Sequence, residues 1–205
     1  MGDGKLEMFK TMQTIQALLA AKQAGKFGDF AILKSDLFGA KVAPQIAAKL
    51  QPLEGYHPPI DLEKLSQYPL GTFGREYAEY MQANHLQAIA VSPEFEDVAK
   101  RNVFALRYAV THDIFHVLLG FDTTYAGEIG VLAFAAQQNY SNSLKISLQI
   151  AKWLYPLLAP QQKPMILANL KKGQDLGKSI DCLLSYRFEE YWQEPIDKLR
   201  KKLGL

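Results

Sequence analysis

Apolar positions recur along most of this chain at three- and four-residue steps, with charged side chains between them, and few stretches alternate with a period of two. That spacing belongs to amphipathic helices rather than half-buried strands, so the pattern predicts an all-α fold, a multi-helix bundle. Leu6, Phe9, Met12, Ile15, Leu18 and Leu19 form one stripe, closed by Gly25. At the other end Leu176, Ile180, Leu183, Leu184, Tyr191, Trp192, Ile196, Leu199 and Leu203 read as one long amphipathic helix kinked near Pro195. Between these ends, residues 51–74 concentrate proline and glycine and read mostly as loop. Thr72 is placed to cap a helix through about Asn84, and Ser92-Pro93 to start another, with Glu94, Glu96 and Asp97 at its positive end. Helical spacing continues from about Asn102 to Leu119 and stops at Gly120, a residue suited to a C-terminal cap. Asp122, Thr123 and Thr124 offer caps for the next helix. Then follow SNSLKISLQIAKWLYPLLAP, ended by prolines, and a short helix near Lys163–Lys171.

Composition narrows this picture. A length of 205 residues suits one domain covering 1–205 better than two independent cores. The formal charge of +2 leaves no basic footprint for nucleic acid, which is not an expected partner. The single cysteine, Cys182, forbids an intrachain disulfide and sits in an apolar run where a buried, inert thiol is expected. The first residues lack the patterns of a signal or transit peptide, and no apolar run reaches the roughly 18 residues a bilayer span requires. The expectation is a cytoplasmic chain that at most touches a membrane surface.

The candidate chemistry lies in THDIFHVLLGFDTTYAGEIG, residues 111–130. Four residues apart on a helix, His112 and His116 project from one face about 6 Å apart along the axis and can converge on one ion. Gly120 ends the helix about 6 Å beyond His116, and Glu128 lies roughly 7–8 Å back along the following helix. In an antiparallel hairpin Glu128 therefore comes level with the histidines. Two imidazoles and a carboxylate suit zinc with an open water position, and equally a non-haem iron triad. Asp113, about 100° around the helix from His112, is better placed as a water-mediated ligand, a second-layer acceptor or an acid–base group. The competing reading is a pair of solvated histidines with two unrelated acids. The apolar neighbours Ile114, Phe115, Val117, Leu118 and Leu119 argue against it, because buried imidazoles need partners.

The run HDIFHVLLGFDTTYAGE, that is HDxxH, eleven residues, then E, resembles the signature of the coenzyme Q biosynthesis protein four family. LGTFGREYAEYM, LRYAVTHD and FEEYWQEPIDKLRKKLGL match further pieces in family order, so the resemblance covers about residues 68–205. It implies an all-helical fold, commonly a homodimer, peripheral membrane association and contact with other quinone-biosynthesis enzymes. It also implies removal of the ring C1 carboxylate from a prenylated hydroxybenzoate, with hydroxylation at that carbon as a variant. The metal ligands it implies are His112, Asp113, His116 and Glu128, with zinc the favoured divalent ion and iron or magnesium the alternatives. The sequence after Glu128, IGVLAFAAQQNYS, departs from the family pattern, and its glycines and alanines would let a helix or a slender ligand approach closely.

A prenylated quinone precursor or isoprenoid lipid needs an apolar groove. Tyr108, Phe115 and Leu119 share the histidine face and are the candidate lining, with core packing as the plainer role for each. Gly71, Gly74 and Arg75 are a candidate anion site at a helix start, though such glycines more often shape a turn. Lys198, Arg200, Lys201 and Lys202 in the tail could meet anionic lipid or form a solvated face. The reading of the chain is then a metal-dependent decarboxylase with Asp113 handling a proton. Its rivals are a non-catalytic prenyl-lipid scaffold and a zinc metallohydrolase, the latter weakened by aspartate standing where HExxH helices carry glutamate. An HD-type phosphohydrolase would need more ligands than His57 and His85 supply.

Overall fold

Caps and glycines cut the helical pattern into pieces, and the lengths of those pieces decide what each helix can reach. The computed structural model describes residues 3–37 and 42–205, with side chains from residue 11 onward. Among them are eleven α-helices and no strand: α1 Asp3–Gln23, α2 Phe27–Leu37, α3 Pro44–Leu50, α4 Leu62–Ser66, α5 Phe73–Ala83, α6 Glu96–Arg101, α7 Val103–Leu119, α8 Tyr125–Gln137, α9 Asn142–Leu158, α10 Lys163–Ser179 and α11 Ile196–Leu203. The expected all-α class is what the chain adopts. Among the described residues no helix is long and apolar enough to cross a membrane.

The helix that carries the histidines is bounded by local chemistry. Asn102 breaks α6 from α7 and accepts the Ala105 N–H at 3.0 Å, and Gly120 closes α7 in the left-handed region at φ +67°, returning its N–H to His116. The carbonyls left over at the end of α7 are answered from a distance. Arg200 of α11 donates to the Val117 and Leu118 oxygens at 2.9 and 3.0 Å, and Lys172 of α10 donates to Leu119 at 2.8 Å. Arg200 is therefore occupied holding α7, while Lys202 lies over the Tyr191 ring and Lys198 near Glu194. Much of the basic tail considered for lipid contact is committed within the fold.

Helix α8 is enclosed by α9 and α10, and small residues make that enclosure possible. A Cβ added at Gly173 of α10 would lie 2.2 Å from the Gly130 carbonyl oxygen, and one at Gly177 would lie 2.8 Å from the Phe134 oxygen. The close approach invited by the glycine- and alanine-rich stretch after Glu128 is thus taken by a helix. Overpacking costs about 1–3 kcal/mol, more than the ~1 kcal/mol that alanine gains over glycine in a helix. Backbone oxygens cannot rotate away, so Gly173→Ala is expected to lower the melting temperature. A thermal melt at or above wild type would show that α8 and α10 are not held this close.

The segment after α10 departs from the sequence reading. Instead of one kinked helix, α10 ends at Ser179 and residues 180–195 run irregularly, through short 3-10 turns at Leu183–Ser185 and Phe188–Glu190, before α11. Leu183, Leu184 and Phe188 are buried there as expected of core residues, but in a non-helical chain. Side chains replace the helix ladder: Gln138 donates to the Gly177 and Ile180 carbonyls and accepts from Leu183 N, the Tyr140 hydroxyl accepts from Leu184 N, and Arg107 donates to the Tyr186 carbonyl. Cys182 lies in this stretch, buried, and burial pushes its thiol above the usual range.

Two smaller differences accompany it. The expected loop at 51–74 contains α4, capped by Asp61, and the helix placed near Lys163–Lys171 continues to Ser179. In the amino-terminal stripe the Leu6 and Phe9 side chains lie outside the described ones. Leu18 packs, partly buried, against the cluster that contains Ile32, Leu33 and Leu106, while Met12, Ile15 and Leu19 are exposed.

Candidate metal centre

The α7–α8 hairpin brings Glu128 to the histidine pair. Gly120 turns the chain out of α7, Phe121 N–H returns to the His116 carbonyl, and Thr124 caps α8 by accepting from Gly127 N, so Glu128 falls in the first turn of α8. The His112 and His116 Nε2 atoms are 3.3 Å apart, and each lies 3.4 Å from an oxygen of Glu128, Oε2 and Oε1 respectively. Tetrahedral zinc with bonds of about 2.1 Å holds its ligands roughly 3.4 Å from one another, so the donor set fits such an ion. One ligand atom from each of the three residues falls within 4.8 Å of the others.

Hydrogen bonding prepares His116 for that role. Its Nδ1 stands 3.3 Å from the Phe121 carbonyl oxygen, which can only accept. The proton is thereby assigned to Nδ1 and the Nε2 lone pair is directed at the other two donors. His116 is only 1% exposed, so this orientation is enforced by packing. Electrostatics follow from the same crowding. Burial pushes the Glu128 carboxyl up, but the two imidazoles against its oxygens, His112 and His116, outweigh it and leave the group at about 2. For His112, burial favours the neutral ring, while Glu128 and Asp113 together raise its pKa above the usual value.

Asp113 stands beside this triangle and not in it. It accepts no hydrogen bond from a described residue; burial raises its carboxyl above the usual range, although His112 and His116 pull it back. Tyr108 packs on the edge of His112, with ring centroids 6.0 Å apart. Its hydroxyl is raised by burial and by the Glu128 carboxylate, with a contribution from Tyr155 of α9. The other candidate lining residues are placed differently. Phe115 is fully buried between Phe134 and Phe188, and Leu119 is also buried, so both are core side chains.

Arg75 is also directed elsewhere, toward Glu79 and the Ser66 carbonyl. The first N–H groups of α5 are not free for an anion either, since Phe73 N donates to the Glu194 carbonyl and Gly74 N to the Trp192 carbonyl, both at 2.8 Å. Gly71, at φ +78°, and Gly74, where a Cβ would lie 2.9 Å from the Trp192 oxygen, shape the turn and its contact. The turn role, and not the candidate anion site, is what this helix start carries.

Two residues outside the sequence-derived set belong to the surroundings. Tyr80 of α5 lies nearly parallel to His116, with ring centroids 6.0 Å apart, and its buried hydroxyl has no hydrogen-bonding partner among the described residues. Tyr155 packs against Tyr125 at 5.0 Å, and burial and Glu128 raise its hydroxyl. Tyr80 lies in the quoted LGTFGREYAEYM run, but only its approach to α7 distinguishes it from a core tyrosine.

A hairpin of two helices presenting two imidazoles and a carboxylate within an all-α chain defines the class: a helical protein with a candidate metal centre of two histidines and one carboxylate. The family model described as "Coenzyme Q (ubiquinone) biosynthesis protein Coq4" matches residues 56–205, and the chain belongs to this family. It is 30% identical over 148 residues to the "Ubiquinone biosynthesis protein COQ4 homolog, mitochondrial" of Rattus norvegicus, covering 71% of this chain and 55% of that protein. For the homologue of the same description from Xenopus tropicalis the values are 29% over 147 residues, 71% and 51%. The chain thus spans about half the length of these curated relatives. A crystallised chain from Nostoc punctiforme, described as a candidate ubiquinone biosynthesis protein, shares the fold with a TM-score of 0.65 at 24% identity, over 94% of this chain and 95% of that one.

Proposed function

We propose that this chain acts in ubiquinone or related prenylquinone biosynthesis. In this reading it binds a prenylated aromatic beside a divalent cation held by His112, His116 and Glu128, and removes the C1 carboxylate of a prenylated hydroxybenzoate. The observation that carries the proposal is the donor triangle of 3.3–3.4 Å, with His116 Nε2 directed inward by Phe121. Zinc is favoured by that spacing, with iron or magnesium as alternatives.

A divalent cation bound there would supply Lewis acidity to the head group. The chain's own residues do the rest. Glu128 and the two imidazoles would hold the ion between α7 and α8, and Tyr108, edge-on to His112, offers aromatic surface beside them. As the bond between C1 and the carboxylate breaks and carbon dioxide leaves, the electron pair remains on the ring and takes up a proton. Asp113, whose carboxyl burial favours in its neutral form, is the donor, and water restores its proton. A hydroxylating version would require an external oxidant and a redox-active ion.

The second reading, a non-catalytic scaffold that holds the lipid for partner quinone-biosynthesis enzymes, draws support from the exposed apolar side chains of α9. The test is metal analysis of the purified chain with mass spectrometry of extracted and added prenylated hydroxybenzoate. We expect about one divalent ion per chain, background levels in the His112→Ala, His116→Ala double variant, and loss of carbon dioxide only with wild type. If both proteins carry equally little metal, the catalytic proposal fails. Retained lipid without decarboxylation, even with partner enzymes present, leaves the scaffold.

A further inference from the structure

Helix α9 buries one side and leaves the opposite side uncovered. Leu148 and Ala151, with Leu144 and Tyr155, turn inward against α8. Ile146, Ile150, Trp153 and Leu157 lie within about 60° of arc on the other side, and are 62%, 57%, 80% and 76% exposed. Leu154 widens the stripe, which runs about 16 Å along the helix. Scattered exposed leucines need no explanation, but a contiguous apolar band crowned by an exposed tryptophan marks an interaction surface.

Charge indicates what covers it. From residue 129 to residue 174 the chain contains no aspartate or glutamate, while Lys145, Lys152, Lys163 and Lys171 are all present. Lys145 and Lys152, seven residues apart, line the same flank of the apolar stripe, and Lys163 opens α10 just beyond its end. We propose that the outer face of α9, rimmed by these lysines, docks on an anionic lipid bilayer. An interfacial helix of this kind lays branched aliphatic and tryptophan side chains among the acyl chains while lysines reach the headgroups.

A second copy fits less well. In a two-fold dimer this face would meet its own kind, bringing lysines together with no carboxylate from the same stretch to answer them. Docking does not depend on the metal reading. The two join in one consequence, resting on the proposed function: the helix whose inner side packs on α8, the helix of Glu128, is the one that meets lipid.

The experiment is co-sedimentation of the full chain with vesicles of equimolar phosphatidylcholine and phosphatidylglycerol, compared with phosphatidylcholine alone. Tryptophan emission is read in parallel. Trp192 is stacked on Phe73 at 4.7 Å, so a blue shift on vesicle addition reports Trp153. We expect binding to the anionic vesicles and a partition roughly a hundredfold weaker on neutral ones, the difference three rim lysines make at a charged surface. Ile150→Glu and Trp153→Glu, both at exposed positions, abolish binding while circular dichroism and melting temperature stay unchanged. Lys145→Gln with Lys152→Gln weakens binding to anionic vesicles only, and Lys198→Gln with Lys201→Gln leaves it unaltered. Absence of binding by wild type, or binding retained by Ile150→Glu, overturns the proposal. So does a stable dimer that Trp153→Glu splits while vesicles are ignored, which would assign the face to a second copy.

Discussion

Glu128→Gln lowers the affinity for a divalent cation by more than about a hundredfold, the upper end of what loss of a mere second-layer partner costs. Glutamine keeps the size and direction of the side chain but removes the charge that His112 and His116 now surround at 3.4 Å. Because the Glu128 side chain is 37% exposed, the fold has no need of it, and circular dichroism should be unchanged. Asp113→Asn provides the contrast, with an affinity within a few-fold of wild type, since Asp113 lies outside the donor triangle. Competition titration against a chromophoric chelator measures both. Wild-type affinity in Glu128→Gln would eliminate the three-ligand centre. An equal loss in Asp113→Asn would make Asp113 a ligand.

Arg107→Met is expected to be among the most destabilising single changes in the chain. Arg107 and Glu189 form an ion pair at 2.8 Å with side chains 0% and 5% exposed, tying α7 to the irregular segment after α10. Arg107 also donates to the Tyr56 and Tyr186 carbonyls. Breaking one partner of a buried pair costs about 3–5 kcal/mol, because the remaining charge stays buried without an answer. For a chain of this length that lowers the melting temperature by roughly 10 °C. The pair is imperfectly satisfied, however: Arg107 Nε and Glu189 Oε2 lack hydrogen-bonding partners among the described residues. Arg107→Met combined with Glu189→Leu should therefore recover much of the loss. Thermal melts of the two single variants and the double variant close the cycle. If the double variant falls as far as the sum of the singles, the two residues are not coupled and the ion pair does not organise this junction.

The candidate metal centre was legible in the sequence because nearly everything that builds it is local. His112 and His116 are one helical turn apart, Gly120 and Thr124 end one helix and begin the next, and these few residues deliver Glu128 to the pair. The segment 180–195 was not legible, although its apolar spacing looked helical. Its backbone has partners that local periodicity cannot disclose: Arg107, Gln138 and Tyr140 stand about 40–80 residues away along the chain. The glycines of LGTFGREY take the turn-shaping role that is the commoner one for such residues, while the anion role was undecidable from local sequence because Trp192 and Glu194 answer the N–H groups of that helix start.

What this sequence determined unaided was what short-range chemistry controls: the all-α class, the end of α7 at Gly120, and a hairpin able to align two imidazoles with a carboxylate. Only the tertiary structure decided which neighbours close around that hairpin. It placed Phe115 and Leu119 in the core, Tyr80 against His116, and the unpartnered apolar side of α9 at the surface. Helix ends and turns are governed by hydrogen bonds over a few residues, whereas burial depends on which distant surfaces meet. Periodicity reports that a face is apolar without naming what covers it.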